Sequence, residues 1–223
     1  MIDAVQAMRE KITELGALLF ERHLTDTAGG NISARVGDYV CITPRYSGSR
    51  YRWQLNPNQV IVADLQGNPI EGDGEISREA RVHFKLYHEF ADGQAVVHGH
   101  ARNVLVFCML AQPIPPVLED TQKFGVIPVA QYAPAHSPLL AEWICDQMRQ
   151  MRSALGKQAA AVIAPWHGLF VLGKDLDAAF DAAERIDVNA YCILQGRLLD
   201  ASLPQEYSQR MLSAFDQYRR DHP

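Results

Sequence analysis

The stretch AVVHGH, residues 95–100, places two histidines at the end of an apolar run. Because alternate side chains of a β-strand point to the same face, this pattern predicts a buried strand that presents His98 and His100 together. A third histidine, His167, closes another apolar run and precedes Gly168, which lets the backbone turn sharply. Neutral imidazoles are preferred ligands of zinc and similar divalent ions. We therefore predict that these three histidines form a metal site.

The composition is that of an ordinary globular protein, with 48% hydrophobic and 21% charged residues in a chain of 223. This length accommodates a full hydrophobic core, so we expect a single domain over residues 1–223. The net charge of -5, without any block of basic residues, argues against nucleic acid as a partner.

The chain has no apolar run long enough for a membrane span, and its first residues lack the cationic start of a secretory signal. Four widely separated cysteines lack the close spacing of a metal-binding knuckle and suit reduced, buried thiols. We therefore expect a cytoplasmic protein with no membrane partner.

Helical and strand-like patterns alternate along the chain. Apolar residues at helical spacing predict helices, and short alternating runs bounded by turn residues predict strands. The predicted helices cover residues 3–22, 78–90, 103–111, 138–150 and 175–194. One predicted strand ends at residue 35, and the others cover residues 39–43, 59–65, 95–100, 125–129, 159–164 and 169–172. Without a repeat or a linker, these elements predict one α/β or α+β domain whose strands are mostly connected as hairpins.

A second group of polar residues lies upstream of the histidine strand. Gly30 and Asn31 belong to a glycine-bearing turn that can expose backbone N–H groups toward an anion. Ser77 suits the N-cap of the helix over residues 78–90, and Glu79 lies in its first turn. Two interpretations of Glu79 remain open from spacing alone: a carboxylate that faces the metal, or one that complements the helix dipole.

Taken together and in order, the motifs resemble the class II aldolase and adducin head-domain family. They are TAGGNIS at residues 27–33, ITP at residues 42–44, SRE at residues 77–79 followed by His83, HGH at residues 98–100 and HG at residues 167–168. The resemblance covers nearly the whole chain. It implies an α/β fold with three layers, α/β/α, around a central, mainly antiparallel sheet. It also implies a homotetramer with four-fold symmetry and an active site at a subunit interface.

The resemblance further implies a metal-dependent site. The ligands would be His98, His100, His167 and Glu79, with Zn2+ or another divalent ion such as Mn2+, Co2+ or Fe2+ as the cofactor. Glu79 would also act as acid and base, while the metal stabilises an enediolate as a Lewis acid. The phosphate of a small sugar phosphate would be bound by a group of turn residues, namely Gly30, Asn31, Ser47, Gly48 and Ser77.

Three features depart from the aldolase pattern of this family. Arg78 stands where a small residue is expected before the catalytic glutamate, and the loop after residue 44 carries the extra residues Arg45 and Tyr46. The arginine before the glutamate suggests that a guanidinium binds a substrate anion, either a phosphate or a carboxylate. Glu119 stands in place of a tyrosine of fuculose-phosphate aldolases, so Glu119 and Asp120 are candidates for a second acid or base.

Two tyrosines complete the site that the resemblance implies. Tyr132 is similar to an aromatic residue, and Tyr218 to a mobile tyrosine near the C-terminus, which close the active sites of aldolases. Ordinary packing is the alternative interpretation for both side chains.

The leading hypothesis is a metal-dependent aldolase, a carbon–carbon lyase that acts on a small sugar phosphate or a related hydroxy-acid through a metal-stabilised enediolate. An alternative keeps the metal but ends in epimerisation, dehydration or decarboxylation, and Arg78, Glu119 and Asp120 make it a serious competitor. A hypothesis of a different class is a non-catalytic, adducin-like interaction domain, which would have lost its metal ligands. Because all the ligands are present, the sequence favours an enzyme.

Overall fold

The computed structural model describes residues 2–201 and 205–221. Within them, seven strands form one sheet in the order β4-β3-β2-β1-β5-β7-β6, and each neighbouring pair is antiparallel. The strands are β1 (Asn31–Val36), β2 (Tyr39–Ile42), β3 (Ile61–Asp64), β4 (Pro69–Glu71), β5 (Ala95–Gly99), β6 (Ala159–Ala164) and β7 (Gly168–Gly173). This sheet confirms the predicted α/β fold with a central antiparallel sheet.

Helices cover both faces of the sheet. They are α1 (Ile2–Glu21), α2 (Ala80–Glu89), α3 (Val104–Leu110), α4 (Pro138–Gln150), α5 (Arg152–Lys157), α6 (Leu176–Leu199) and α7 (Gln205–Asp221), with short 3-10 helices at Pro57–Gln59 and Glu119–Phe124. Successive strand residues alternate between two cores: Val97 packs in the core formed with α1, α3 and α6, and Val96 in the core formed with α2 and α4. The molecule therefore has the three layers that the sequence predicts.

The histidine strand β5 lies between β1 and β7, and all of its residues are buried. Its register pairs His98 with Asn31 of β1 on one side and with Phe170 of β7 on the other. The β6–β7 hairpin pairs Ala164 with Gly168, so that His167 lies in the connecting turn. As a result, the end of β5, the start of β1 and the β6–β7 turn meet at one end of the sheet.

Some boundaries differ from the predictions. Residues 125–129 do not form a strand, and Ile127 and Val129 make only isolated bridges, with Ile114 and Ile163. Pro128 between them has no N–H to donate to a strand ladder. The last long predicted helix continues beyond residue 194, and β4, α5 and α7 were not predicted.

Three of the four cysteines are buried, and none of the four forms a disulfide. Burial raises the pKa of Cys41 and Cys145 to about 11 and that of Cys108 to about 12, so these thiols stay protonated at neutral pH. Cys192 is half-buried. In the described part of the chain, no helix is both long enough and apolar enough to cross a membrane.

Candidate metal centre and active site

The three predicted histidines converge at the end of the sheet. One nitrogen from each of His98, His100 and His167 lies within 4.8 Å of those of the other two. The ring centroids of His98 lie 5.3 Å from His100 and 4.9 Å from His167. Imidazoles this close, all presented by rigid strand ends, are typical of a site that binds a divalent ion.

The surroundings of His98 fix which of its nitrogens carries the proton. Its Nδ1 lies 2.9 Å from the carbonyl oxygen of Leu169, which can only accept, so Nδ1–H donates. The ring is also stacked on Phe170, with 4.0 Å between ring centroids and 9° between planes. In the neutral ring, Nε2 of His98 is therefore the nitrogen with the free lone pair; it is held in one orientation and is buried.

His100 has the same arrangement with a carboxylate as its acceptor. Its Nδ1 lies 3.0 Å from Oδ1 of Asp26. That oxygen also accepts from the backbone N–H groups of Ala28 at 2.8 Å and Gly29 at 3.1 Å. Such carboxylate–histidine pairs orient the ring and raise its basicity toward a metal. The sequence analysis missed Asp26, although an Asp two residues before an Ala-Gly-Gly turn is a signal for this local bonding.

Two glycines leave room for the imidazoles. A Cβ at Gly29 would lie 2.4 Å from Cε1 of His100. A Cβ at Gly168 would lie 2.7 Å from the carbonyl oxygen of Gly99 and 2.9 Å from Cδ2 of His100. Any larger residue at either position would displace the ring or the strand end, so the close packing of the histidines requires glycine here.

Glu79 approaches the histidines from the helical layer that contains α2. It occupies the N-cap position of α2, whereas the sequence predicted Ser77 there, because helical geometry begins only at Ala80. Its side chain is 6% exposed, with Oε2 2.9 Å from Nε2 of His98 and Oε1 3.2 Å from Nε2 of His167. Burial raises the pKa of Glu79, but positive charge on the neighbouring histidines, when they are protonated in the absence of a metal, outweighs burial and holds the pKa below its ordinary value. Glu79 is therefore ionised at neutral pH.

The polar atoms of the cluster fit a bound cation. When His98 is neutral, Oε2 of Glu79 and Nε2 of His98 are both acceptors, and two acceptors 2.9 Å apart repel unless a cation lies between them. Several buried atoms here have no hydrogen-bond partner among the described residues, namely Nε2 of His98, Nε2 of His100, Nδ1 of His167 and Oε1 of Glu79. Burial lowers the pKa of His167 to about 4, so its ring is neutral at pH 7, as metal ligation requires.

A pocket opens beside Glu79. It brings together the residues that the resemblance assigns to anion binding, and it is lined by Gly30, Asn31, Ser47, Gly48, Ser77, Arg78, Glu79 and His136, among others. Ser77 accepts from Nδ2 of Asn31 at 3.2 Å, while Oδ1 of Asn31 is buried without a partner. Arg78 is exposed, and the described residues include no ion pair with it. The pocket therefore offers amide, hydroxyl and guanidinium groups next to an ionised carboxylate.

Other predicted residues lie elsewhere within this chain. Asp120 forms an ion pair with Arg185 at 2.6 Å, and neither Asp120 nor Glu119 lines the pocket. Tyr132 packs edge-on against Trp166, with 5.1 Å between ring centroids. Tyr218 lies on α7, largely exposed. The roles of these residues stay predictions.

The structure adds one imidazole that the sequence analysis did not select. Nδ1 of His136 lies 3.3 Å from Oε1 of Glu79. His136 precedes α4 in a loop without regular periodicity, so no pattern in the sequence connects it with a residue 57 positions earlier. Its backbone has φ of 66°, a conformation that residues with a Cβ rarely adopt.

Comparisons with known proteins agree with this fold. The family model described as "Class II Aldolase and Adducin N-terminal domain" matches residues 10–194. An L-fuculose phosphate aldolase of Haemophilus influenzae is 27% identical over 217 residues, which cover 95% of this chain and 94% of that protein. A 5-deoxy-D-ribulose 1-phosphate aldolase of Bacillus thuringiensis is 28% identical over 219 residues, covering 96% and 98%.

A decarboxylase is also among the relatives. The 3-oxo-tetronate 4-phosphate decarboxylase of Haemophilus influenzae is 30% identical over 202 residues, covering 86% of this chain and 90% of that protein. The solved structure of an L-fuculose 1-phosphate aldolase superposes with a TM-score of 0.77 at 24% identity, over 93% of this chain and 95% of that one. The chain belongs to the class II aldolase and adducin N-terminal domain family.

Proposed function

We propose that this protein is a metal-dependent carbon–carbon lyase that cleaves a small sugar phosphate. The observation that carries the proposal is the convergence of unpartnered imidazole nitrogens and the Glu79 carboxylate beside a polar pocket. The names of the relatives at 27% and 28% identity, both sugar-phosphate aldolases, support the same reaction class. An interaction domain without chemistry has no need for such a costly group of buried polar atoms.

The chain's own residues would divide the work as follows. A divalent metal such as Zn2+, Mn2+, Co2+ or Fe2+, held by His98, His100, His167 and Glu79, would supply a Lewis acid that stabilises negative charge on a substrate oxygen. Glu79 is ionised and adjoins the pocket, so its carboxylate can take a proton from the substrate and return it to the product. Asp26 and the Leu169 carbonyl keep the rings of His100 and His98 in the orientation that binding requires.

The terminal anion of the substrate would lie at the polar end of the pocket. Gly30 and Gly48 offer close backbone approach, and the side chains of Asn31, Ser47 and Ser77 supply an amide and hydroxyls. Arg78 adds a positive charge that suits phosphate or carboxylate.

Residues that lie away from this pocket can act only from a neighbouring copy. Within this chain, Asp120 is paired with Arg185, and Tyr218 lies on the exposed helix α7. We propose that Glu119, Asp120 and Tyr218 reach the site of another subunit in a homotetramer. Tyr132 would line the mouth of the site beside Trp166. The single domain over residues 1–223 and the cytoplasmic location remain part of the same proposal.

A second candidate is decarboxylation of a related sugar acid phosphate. The relative with the highest of the three quoted identities, 30%, is a decarboxylase of this kind, and Arg78 provides a group that binds a carboxylate. Epimerisation and dehydration would use the same carboxylate and metal ligands. Product analysis separates these reactions, because only the aldolase releases two carbon fragments.

The test is a mass-spectrometric assay on the purified protein with L-fuculose 1-phosphate, 5-deoxy-D-ribulose 1-phosphate and 3-oxo-tetronate 4-phosphate, with and without a chelator. Chelator-sensitive cleavage into two carbon fragments supports the aldolase. Release of carbon dioxide moves the function to the decarboxylase. No turnover and no bound metal would contradict both and favour an adducin-like interaction domain.

Substitution of Glu79 by Gln tests the role of its carboxylate. We expect Glu79→Gln to lower kcat by about 100-fold or more, because an amide cannot accept the substrate proton. The matched control is Glu75→Gln, which changes an exposed carboxylate paired with Arg45 on the same segment and should leave kcat within about twofold. Equal turnover of Glu79→Gln and the wild type would exclude Glu79 as the acid and base.

A further inference from the structure

His136 brings a fourth imidazole to this site, outside the three-histidine cluster. Its side chain lines the pocket beside Glu79 and is 38% exposed. In the part of the chain that the structure describes, the group able to hold a metal consists of His98, His100 and His167. His136 therefore approaches Glu79 without belonging to the set of nitrogens that would bind the ion.

The backbone at His136 is held in a conformation that carries a cost. Its φ of 66° lies in the left-handed region, and a residue with a Cβ persists there when its surroundings enforce it, as is frequent at functional sites. The loop is fixed on both sides. The Ala130 N–H donates to the Ile163 carbonyl at 2.8 Å, and Oγ of Ser137 accepts from the Leu140 N–H at 3.1 Å to cap α4.

The two oxygens of Glu79 have different neighbours. Oε2 faces Nε2 of His98 at 2.9 Å, while Oε1 lies 3.2 Å from Nε2 of His167 and 3.3 Å from Nδ1 of His136. A ring nitrogen whose lone pair binds a metal carries no proton to donate to a carboxylate. Among these neighbours, His136 remains able to donate an N–H to Glu79 when the cluster is loaded.

We propose that His136 is a positioning residue that, when the cluster is loaded, holds Glu79 at the pocket by donating an N–H to Oε1, a buried acceptor without a hydrogen-bond partner among the described residues. The proposal rests on the role of Glu79 in the proposed function. It explains why an imidazole occupies a left-handed backbone position that glycine would adopt without strain. It also gives a donor to Oε1, the oxygen of the carboxylate that otherwise has no partner among the described residues and that lies 3.3 Å from Nδ1 of His136.

The variants that test this are His136→Gly and His136→Asn. Glycine removes the donor and relieves the backbone, whereas asparagine keeps an N–H donor and tolerates the left-handed conformation. The matched control is Ala111→Gly, because Ala111 has φ of 47° at the C-cap of α3, is exposed and does not line the pocket. In this control, strain is relieved without removing a polar group.

In steady-state kinetics on the substrate that the assay identifies, His136→Gly should lower kcat by about 10-fold or more with KM within about threefold. Its Tm should be unchanged or higher by up to about 3 °C, as for Ala111→Gly. His136→Asn should keep kcat within about threefold. Wild-type kcat in His136→Gly, or a clear fall in its Tm, would overturn the proposal, since the first denies the function and the second indicates a structural role.

A measurement without substrate separates this proposal from the proposed function. Each variant is loaded with Co2+, and its visible absorption reports the arrangement of ligands around the ion. We expect His136→Gly to keep the Co2+ stoichiometry of the wild type but to change the spectrum, and His136→Asn to keep both.

An unchanged spectrum in His136→Gly overturns the role of His136, whatever the activity. Absence of turnover in the wild type, with the expected spectral change, overturns only the lyase proposal. A wild type that takes up no Co2+ overturns both.

Discussion

At the scale of single residues, the centre depends on the groups that decide where each imidazole carries its proton. The Leu169 carbonyl and the Asp26 carboxylate each accept from an Nδ1, so that Nε2 of His98 and of His100 face the cluster as acceptors. These partners touch no substrate in the proposed reaction. They nevertheless determine whether three histidines form a site for a cation or a group of competing donors.

Asp26→Asn tests this dependence. The amide oxygen can still accept from the Ala28 and Gly29 N–H groups, but it is a weaker acceptor for Nδ1–H of His100 than a carboxylate. We expect the affinity for Zn2+, measured by competition with a chromogenic chelator, to fall by about 10- to 100-fold. Asp38→Asn, at the exposed β1–β2 turn, is the control. An affinity of Asp26→Asn within twofold of the wild type would show that the ring needs no carboxylate.

At the scale of elements, α2 is what brings Glu79 to the sheet, and a buried polar network attaches α2 to β1. His83 is fully buried, with Nδ1 2.6 Å from Oγ of Ser33, and that hydroxyl lies 2.6 Å from the Tyr87 hydroxyl. Burial lowers the pKa of His83 to about 3 from its ordinary value of 6.5. The helix therefore packs on the sheet with a neutral imidazole between them.

This shift predicts a pH dependence of stability. The unfolded chain binds a proton on His83 near pH 6.5, and the native protein binds it only near pH 3. Protonation of His83 therefore does not affect the free energy of unfolding above pH 6.5. As the pH falls from 6.5 toward 3, it lowers the free energy of unfolding by up to about 1.4 kcal/mol per pH unit. In urea unfolding at a series of pH values, His83→Gln should show a shallower decline than the wild type. His88→Gln, on the exposed face of α2, should decline like the wild type, and parallel curves for all three would refute this assignment.

The elements also show how far sequence patterns reach. β5, β6 and β7 were predicted because buried strands are apolar along their whole length and end at a histidine, glycine or turn. Residues 125–129 look equally strand-like, but they form only isolated bridges because strand pairing depends on which neighbours are available. α7 has an amphipathic pattern without a partner visible in the sequence, and it was missed.

At the scale of the whole molecule, the antiparallel sheet gathers residues that are far apart in the chain. His98, His100 and His167 could be predicted together because each ends an apolar run, and their convergence follows from the β5–β7 pairing. Asp26 and His136 could not be predicted as partners, because their contacts span 74 residues to His100 and 57 to Glu79 and leave no periodic signal. The three candidate ligands are recognisable from local sequence, whereas the residues that orient them are brought together only by the tertiary fold.

The central claim is that the three histidines bind one metal ion, and its most direct test is the metal content of the protein after loading with Zn2+ and removal of the excess. We predict one ion per chain in the wild type and in the exposed control His88→Ala. We predict only traces in His100→Ala, with an unchanged circular dichroism spectrum, because His100 lies just beyond the end of β5 and is not among the buried core side chains. Full occupancy in His100→Ala, or no stoichiometric ion in the wild type, would contradict the account.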